Sequence, residues 1–511
     1  MFGKRHDIQR RAGEIMQNHY KKNAGKLPLC VSVFSCLLAL SGCLVGPDYQ
    51  KPIFNVASKW NTDSRETPST PPELAGWWRR LNDPILNKII TDAIAGNTDV
   101  ASAKARVREA RASLSQVTGT LYPSLDGSAS GNRNKSAGGL ERSQYRGGLD
   151  SSWEIDLFGA NRRSVEAAKY GLDGAKEDMR ATMLTLIGDV ATNYTEMRGL
   201  QQKIALAKRT AASQRRTAQL TKDKFAAGAV SQLDVSNAEG QAASTEAGIP
   251  QMEANLATTI HRLSVLTGQS PTALNDILMK TGNIPQPKWP IPAGVPADIL
   301  LTRPDVRLAE RQYAQATARI GQKEADRYPS VTLTGNISTA ATQPGQLGKS
   351  STISWSFGPG ISVPIFHGGQ RIAAVEVAKA QRDQSFIAYR SAVLSALEDV
   401  ENALVSVKKE KQRSIKLAES ANAYSKALAL SRSLYQNGNT SFLELLNAER
   451  SHYSSEQSLI ESKVAITTDY IALMKALGGG WDGAIDVSHP EIVDGYTGPH
   501  IKTVQAESKT R

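Results

Sequence analysis

From Leu125 the chain alternates residue by residue: Leu125, Gly127, Ala129 and Gly131 are apolar or small, and Asp126, Ser128, Ser130 and Asn132 are polar. After a Gly/Asn/Lys loop the alternation resumes, with Tyr145, Gly147, Leu149, Ser151, Trp153 and Ile155 set against Arg146, Gly148, Asp150, Ser152, Glu154 and Asp156. It returns at Val331, Leu333, Gly335 and Ile337, and again at Ile353, Trp355, Phe357, Ile361 and Val363, each interleaved with Ser, Thr, Asn or Gly. A period of two puts successive side chains on opposite faces, so four β-strands are predicted, each with one apolar and one strongly polar face. Trp153 and Trp355 on the apolar faces, and segments about ten residues long, fit transmembrane strands. A soluble hairpin with one face on a core would give the same alternation.

Between the strand pairs the period is helical. Val165, Ala168, Leu172, Ala175, Met179, Leu186, Val190, Met197, Ile204, Ala207 and Ala211 fall at steps of three and four or their sums, a heptad-like seam rich in small residues. No Pro intervenes from Arg162 to Phe225, which predicts a rod on the order of 95 Å long at about 1.5 Å per residue. Gly228-Ala229-Val230 breaks it, and a return helix is expected from Asp234 to Leu266. A shorter helical pattern opens at Asp83-Pro84 and continues past Gly96 to about Leu121. The second half repeats the scheme: a helix from Ile372 to Tyr435, a turn at Asn437-Gly438-Asn439, and a return from Leu443 to Leu477.

The two halves are copies. Tyr122-Pro123-Ser124, Leu157-Phe158-Gly159, Phe225 to Gly228, Asn237-Ala238-Glu239 and Leu266-Thr267-Gly268 return in order as Tyr328-Pro329-Ser330, Ile365 to Gly368, Tyr435 to Gly438, Asn447-Ala448-Glu449 and Ala476-Leu477-Gly478. An ordered duplication makes the halves one architecture, and any reading of one half must work for the other. The expected organisation is residues 1–42 as a signal segment, 43–82 as a Pro-rich tether, 83–280 and 281–480 as two repeats of helix, β-hairpin and long helical hairpin, and 481–511 as a polar, disordered tail. The fold class is α+β.

Aromatics are scarce at 6%, a composition of long helices rather than of a large globular core. The formal charge of +12 falls to +7 without the first 26 residues, which hold seven Lys/Arg against two Asp/Glu. The remaining Lys and Arg are mixed with acids along predicted helices, with no aromatic interleaving, which excludes nucleic acid as the partner. That basic N-terminus, the apolar run Leu27 to Leu40 and Leu40-Ser41-Gly42-Cys43 resemble a bacterial lipoprotein signal, with Cys43 acylated and cleavage before it. All three cysteines lie in this segment, so the mature chain has no disulfide. No mature stretch has 18 consecutive apolar residues, so no transmembrane helix is expected.

Four strands cannot cross a membrane alone, because open edges in lipid leave backbone groups unpaired. The chain is expected to pool strands with copies of itself, three chains giving a barrel of about twelve strands with an open lumen.

These features resemble TolC-type outer-membrane efflux channels, in the lipoprotein branch of OprM- and NodT-like factors. The marks are the lipobox with Val45-Gly46-Pro47-Asp48-Tyr49-x-x-Pro52, Leu121-Tyr122-Pro123-Ser124 before the first strand, Trp153-Glu154-Ile155-Asp156-Leu157-Phe158-Gly159 before the long helix, and the paired tips. The resemblance implies a homotrimeric duct in the outer membrane with a helical barrel in the periplasm. It also implies a periplasmic adaptor and an inner-membrane pump, expected to be of the RND type, as partners. A type I protein-secretion duct shares the fold and stays open as the alternative, as does, more remotely, a structural coiled-coil lipoprotein. No cofactor is expected beyond the lipid on Cys43.

The tips Gly228, Ala229, Val230 and Gly438, Asn439, Thr440 are expected to meet the adaptor. After the second tip the family pattern Leu-x-Asp-x-Leu-Asp-Ala reads Leu443-Glu444-Leu445-Leu446-Asn447-Ala448, so Glu444 keeps one acid and Asn447 replaces the other. Glu444, Asn447 and the matching Asp234 are the candidate periplasmic aperture. Arg146, Asp150, Glu154 and Asp156 are the candidate lumenal charges. Gly345 to Ser350 resembles a phosphate loop but has Gln343 where Gly is needed and lies between strands. No His cluster has ligand spacing and no catalytic arrangement stands out, so neither a metal site nor an enzyme is expected.

Overall fold

The structure, a computed structural model, describes residues 44–55, 60, 74–135, 137–288, 303–481, 483 and 485–490; the lipobox with Cys43 and residues 491–511 lie outside the described residues. The helices are α1 (Pro84–Gly96), α2 (Thr98–Gly119), α3 (Ala160–Ala226), α4 (Gln232–Leu266), α5 (Pro304–Ala325), α6 (Gln370–Gln436) and α7 (Phe442–Ala476). The strands are β1 (Ser124–Lys135), β2 (Glu141–Ile155), β3 (Ser330–Ala341) and β4 (Ile353–Ser362). Two compact units interleave along the chain. One gathers Ala112–Gly171, Gln312–Phe386 and the described residues before Pro52; the other takes Pro52–Arg111, Leu172–Arg311 and the described residues from Ile387. Each unit draws on both sequence repeats.

The first unit contains the sheet, in the order β1-β2-β3-β4 with every neighbour antiparallel. Its register carries the sequence alternation across all four strands. Leu149 lies opposite Ile337, and Ile337 opposite Trp355; Trp153 faces Leu333, and Ile155 faces Val331, which faces Ile361. The other face lines up Asp126, Asp150, Asn336 and Ser356 in one row. The apolar face is solvent-facing in the isolated chain, with Trp355 76% and Phe357 70% exposed. Among the described residues β1 and β4 each have one strand neighbour, so the sheet has two open edges. Each strand also has an aromatic residue just beyond the same end: Tyr122 before β1, Phe158 after β2, Tyr328 before β3 and Phe366 after β4. Phe158 and Tyr328 stack with centroids 4.6 Å apart.

In the second unit the α3 seam predicted from spacing is the core. Leu172, Met179, Leu186, Val190, Met197, Ile204, Ala207 and Ala211 are all buried. α6 buries a seam of its own, including Tyr389, Val393, Ala396, Val400 and Val407, but it also carries a second apolar row, Ile387, Leu394, Val405, Ile415 and Leu430, that is exposed. No described helix is long and apolar enough to cross a membrane.

Three expectations are corrected. The first helical pattern is interrupted at Asn97, where the backbone is extended. The Asn97 side chain caps α2 by accepting from Asp99 N and Val100 N at 2.9 and 3.1 Å, and it donates to Leu266 O at 3.0 Å. A Cβ on Gly96 would meet Thr267 O at 2.5 Å, so the break is set by a long-range contact. The tether after Cys43 is packed in part: Trp60, Trp77 and Trp78 are buried, while Leu44 and Ile53 are exposed. The start of the C-terminal tail is docked as well: Trp481 stacks on Trp78 at 6.2 Å, and Arg108 donates to His489 O at 2.9 Å.

Candidate functional site

Both helical hairpins reverse by the same geometry. At the first tip Gly228 has φ +75°, its N–H donates to Phe225 O at 2.8 Å, and Ala229 N donates to Lys224 O at 2.8 Å. At the second, Gly438 has φ +80°, its N–H donates to Tyr435 O at 3.2 Å, and Asn439 N donates to Leu434 O at 2.8 Å. This is the Schellman termination, in which a left-handed residue turns the chain so that its own N–H and the next one satisfy the last carbonyls. Glycine fits because an L side chain is strained there.

The return helices start differently. Ser231 caps α4, accepting from Asp234 N at 3.2 Å, and Asp234 answers by accepting from Ser231 N at 3.1 Å and Ser231 Oγ at 2.8 Å. This closed capping box uses the Asp234 carboxylate locally. At the second tip Ser441 caps α7, accepting from Glu444 N at 3.3 Å. The Glu444 carboxylate turns instead to Thr440, whose hydroxyl donates to it. Glu444 and Asn447 are exposed and share a face of α7. A leucine precedes each acid, and Leu233 and Leu443 are both exposed.

Below the reversals the tips pack together. Ala218, Ala238, Tyr435, Phe442, Leu445 and Leu446 form a buried cluster that draws on α3, α4, α6 and α7. Tyr435 and Phe442 meet edge to face at 6.0 Å, and Lys224 Nζ lies 5.2 Å from the Tyr435 ring centre. The Tyr435 hydroxyl shares a hydrogen bond of 2.9 Å with Thr221 Oγ1. Burial pushes the Tyr435 hydroxyl above its ordinary pKa, against the opposing effect of the Thr221 hydrogen bond. One layer further in, Glu449 is buried on α7 and accepts from Thr217 at 2.9 Å and from Arg432 at 3.2 Å, while Arg432 also donates to Ser213 at 2.6 Å. Hydrophobic periodicity alone does not point to this network. Its signal is Glu449 falling one turn after Leu445 and Leu446, a charge on the apolar face of α7.

Of the strand charges, Arg146, Asp150 and Glu154 lie on the polar face, opposite Ala340, Asn336 and Thr332 respectively. Asn336 donates to Asp150, which also lies across from Asp126. Asp156 is corrected: it falls one residue past β2, where it accepts from Arg162 N at 2.8 Å and from Arg162 Nε at 3.3 Å. Its carboxylate stabilises the start of α3, where exposed N–H groups favour an anion.

Comparison with known proteins extends over the same elements. The family model described as outer membrane efflux protein matches residues 89–269 and 295–479. The chain is 36% identical over 452 residues to nodulation protein T of Rhizobium leguminosarum bv. trifolii, covering 87% of this chain and 96% of that protein. It is 30% identical over 465 residues to the cation efflux system protein CusC of Escherichia coli O6:H1, covering 89% and 98%. The solved structure of the outer-membrane channel OprN superposes with a TM-score of 0.80 at 33% identity, covering 86% of this chain and all of that one.

Proposed function

The chain belongs to the outer membrane efflux protein family, and from that premise we propose that it is the exit duct of a tripartite efflux pump. It is an outer-membrane channel, not an enzyme. On our reading it conducts drugs or other small molecules passively outward, fed by a periplasmic adaptor and an RND-type inner-membrane pump. The observation that carries the reading is the sheet: a face of mostly apolar and small residues, an opposite face of mostly polar and small ones, and two open edges in one register. A lone sheet of this kind leaves edge groups unpaired in lipid, whereas a barrel closed between copies pairs them and turns the polar face to a water-filled lumen. Three protomers would contribute twelve strands, and the exposed apolar row of α6 would be covered by a neighbouring protomer. Cys43 would carry the lipid that anchors the N-terminus.

The Schellman tips Gly228–Val230 and Gly438–Thr440 are the surfaces offered to the adaptor. Glu444 and Asn447 are read as the aperture. Among the described residues the Glu444 carboxylate accepts from the small Thr440 hydroxyl, and a threefold ring of carboxylates would favour cations. Asp234, closed into its capping box, is read as a brace in contact with the adaptor or a neighbouring protomer. The first test is purification from outer membranes as a heat-modifiable trimer that conducts in planar bilayers. Deleting the gene should raise dye accumulation and susceptibility across a panel of compounds. At the aperture, Glu444→Ala should lower cation selectivity or change single-channel conductance, and unchanged values would remove Glu444 from that role.

A further inference from the structure

The Val45-Gly46-Pro47-Asp48-Tyr49 motif is seated in a built receptor within the sheet-bearing unit. Arg163, near the start of α3, has a side chain only 2% exposed. Its Nε donates to Val45 O at 3.2 Å, and its Nη2 donates to Gly46 O at 3.2 Å and Asp48 Oδ1 at 2.8 Å. The remaining arm donates to Glu166 at 2.7 Å. Gly46 has φ +89°, and a Cβ there would lie 2.3 Å from Gly321 Cα; a Cβ on Gly321 would lie 2.7 Å from Arg163 Nε. Two glycines thus let the N-terminal segment, α5 and the guanidinium pack in direct contact. Tyr49 closes the far end, edge to face with Tyr170 at 5.8 Å and Tyr313 at 5.7 Å. At the near end Val45 N donates to Phe158 O at 3.3 Å, and the Leu44 side chain fills the space where a Cβ on Gly159 would sit.

Phe158 is one of the four aromatic residues beyond the strand ends, a row of the kind that marks a membrane interface. The seated motif therefore delivers the chain's N-terminal end to the aromatic foot of the sheet. We propose that Val45–Tyr49 is a docking strap and that Arg163 with Gly321 is its receptor, which fixes the acylated end of the chain beside the foot of the sheet and makes Arg163 a positioning residue for insertion. The inference rests on the reading of Cys43 as lipidated. With the strap seated, the lipid-bearing residue adjoins Leu44. Released as far as Phe54, whose ring packs on Tyr389 eleven residues from Cys43, the segment has an r.m.s. reach of about 18 Å. Holding the lipid at the foot raises its effective concentration there and makes entry of sheet and lipid one event.

Two variants disrupt the seat from opposite sides: Arg163→Met in the receptor, and Gly46→Val in the strap, which leaves the body of the protein unchanged. Each is made in the lipidated chain and in a chain exported behind an ordinary cleavable signal with Cys43→Ala. Palmitate labelling reads lipidation, and pulse-chase reads the appearance of SDS-resistant trimer in the outer membrane. Both variants should label like the parent and slow trimer appearance about tenfold in the lipidated chain, with no further slowing in the unlipidated one. Equal slowing with and without lipid would make the seat a fold brace, and no slowing would make it inert; either overturns the proposal. A parent chain that takes no palmitate would instead remove the premise of lipidation, a separate failure read before any variant.

Discussion

Glu449 shows how one side chain ties three helices together near the tips. It sits among Leu445 and Leu446 on α7, yet accepts hydrogen bonds from Thr217 on α3 and Arg432 on α6. The Arg432 side chain keeps 35% exposure while that of Glu449 keeps 5%, so the carboxylate bears most of the desolvation. Arg432→Met should therefore destabilise by about 1–3 kcal/mol, the cost of leaving a buried acceptor short of a partner. Adding Glu449→Met should recover much of the loss, because removing both charges also removes the desolvation. Melting temperatures of the detergent-solubilised protein check this. A double variant whose loss equals the sum of the Arg432→Met and Glu449→Met losses would mean the charges are not coupled.

At the scale of elements, α6 differs from its repeat partner α3. The two have the same length, 67 residues each, and both bury a seam, but α6 also exposes a second apolar row, Ile387, Leu394, Val405 and Ile415. Apolar rows of this kind mark an interface with another chain. If the chain assembles as the proposed trimer, Leu394→Asp should leave the protomer helical by circular dichroism while abolishing that trimer, and a stable Leu394→Asp trimer would place the interface elsewhere. The strands and long helices were legible because a sustained period of two or of three and four directly reports which face is buried. Period is blind to contacts distant in sequence. The break at Asn97 depends on Leu266 and Thr267, and the seating of the strap depends on Arg163 and Gly321, more than a hundred residues away. Nor does alternation reveal where a ladder stops, which is why Asp156 reads as a strand residue although it caps α3. At the tips the glycines and acids were legible. Their different partners, Ser231 for Asp234 and Thr440 for Glu444, depend on rotamers that sequence does not display.

For the whole molecule, the two faces of the sheet must meet two different solvents, and neighbouring residues of β4 can separate them. Trp355 lies on the apolar face opposite Ile337, and Ser356, the next residue, lies on the polar face opposite Asn336. In a closed barrel the first side chain meets lipid and the second a water-filled lumen. An arginine facing lipid costs roughly 2–4 kcal/mol near the midplane and less toward the interfaces, and a homotrimer incurs it three times. Trp355→Arg should therefore prevent integration, leaving the chain extractable from membranes by urea or carbonate. Ser356→Arg adds the same charge one residue along and should integrate normally. Its effect should appear in conduction, because a ring of cations beside the Asp150–Asn336 row shifts selectivity toward anions. If both substitutions blocked integration, the polar face would have to lie against protein or lipid rather than water. If neither did, the apolar face would be covered by something other than the bilayer. Only the pair of opposite outcomes, one lost from the membrane and one altered in current, is consistent with a barrel closed between copies of this chain.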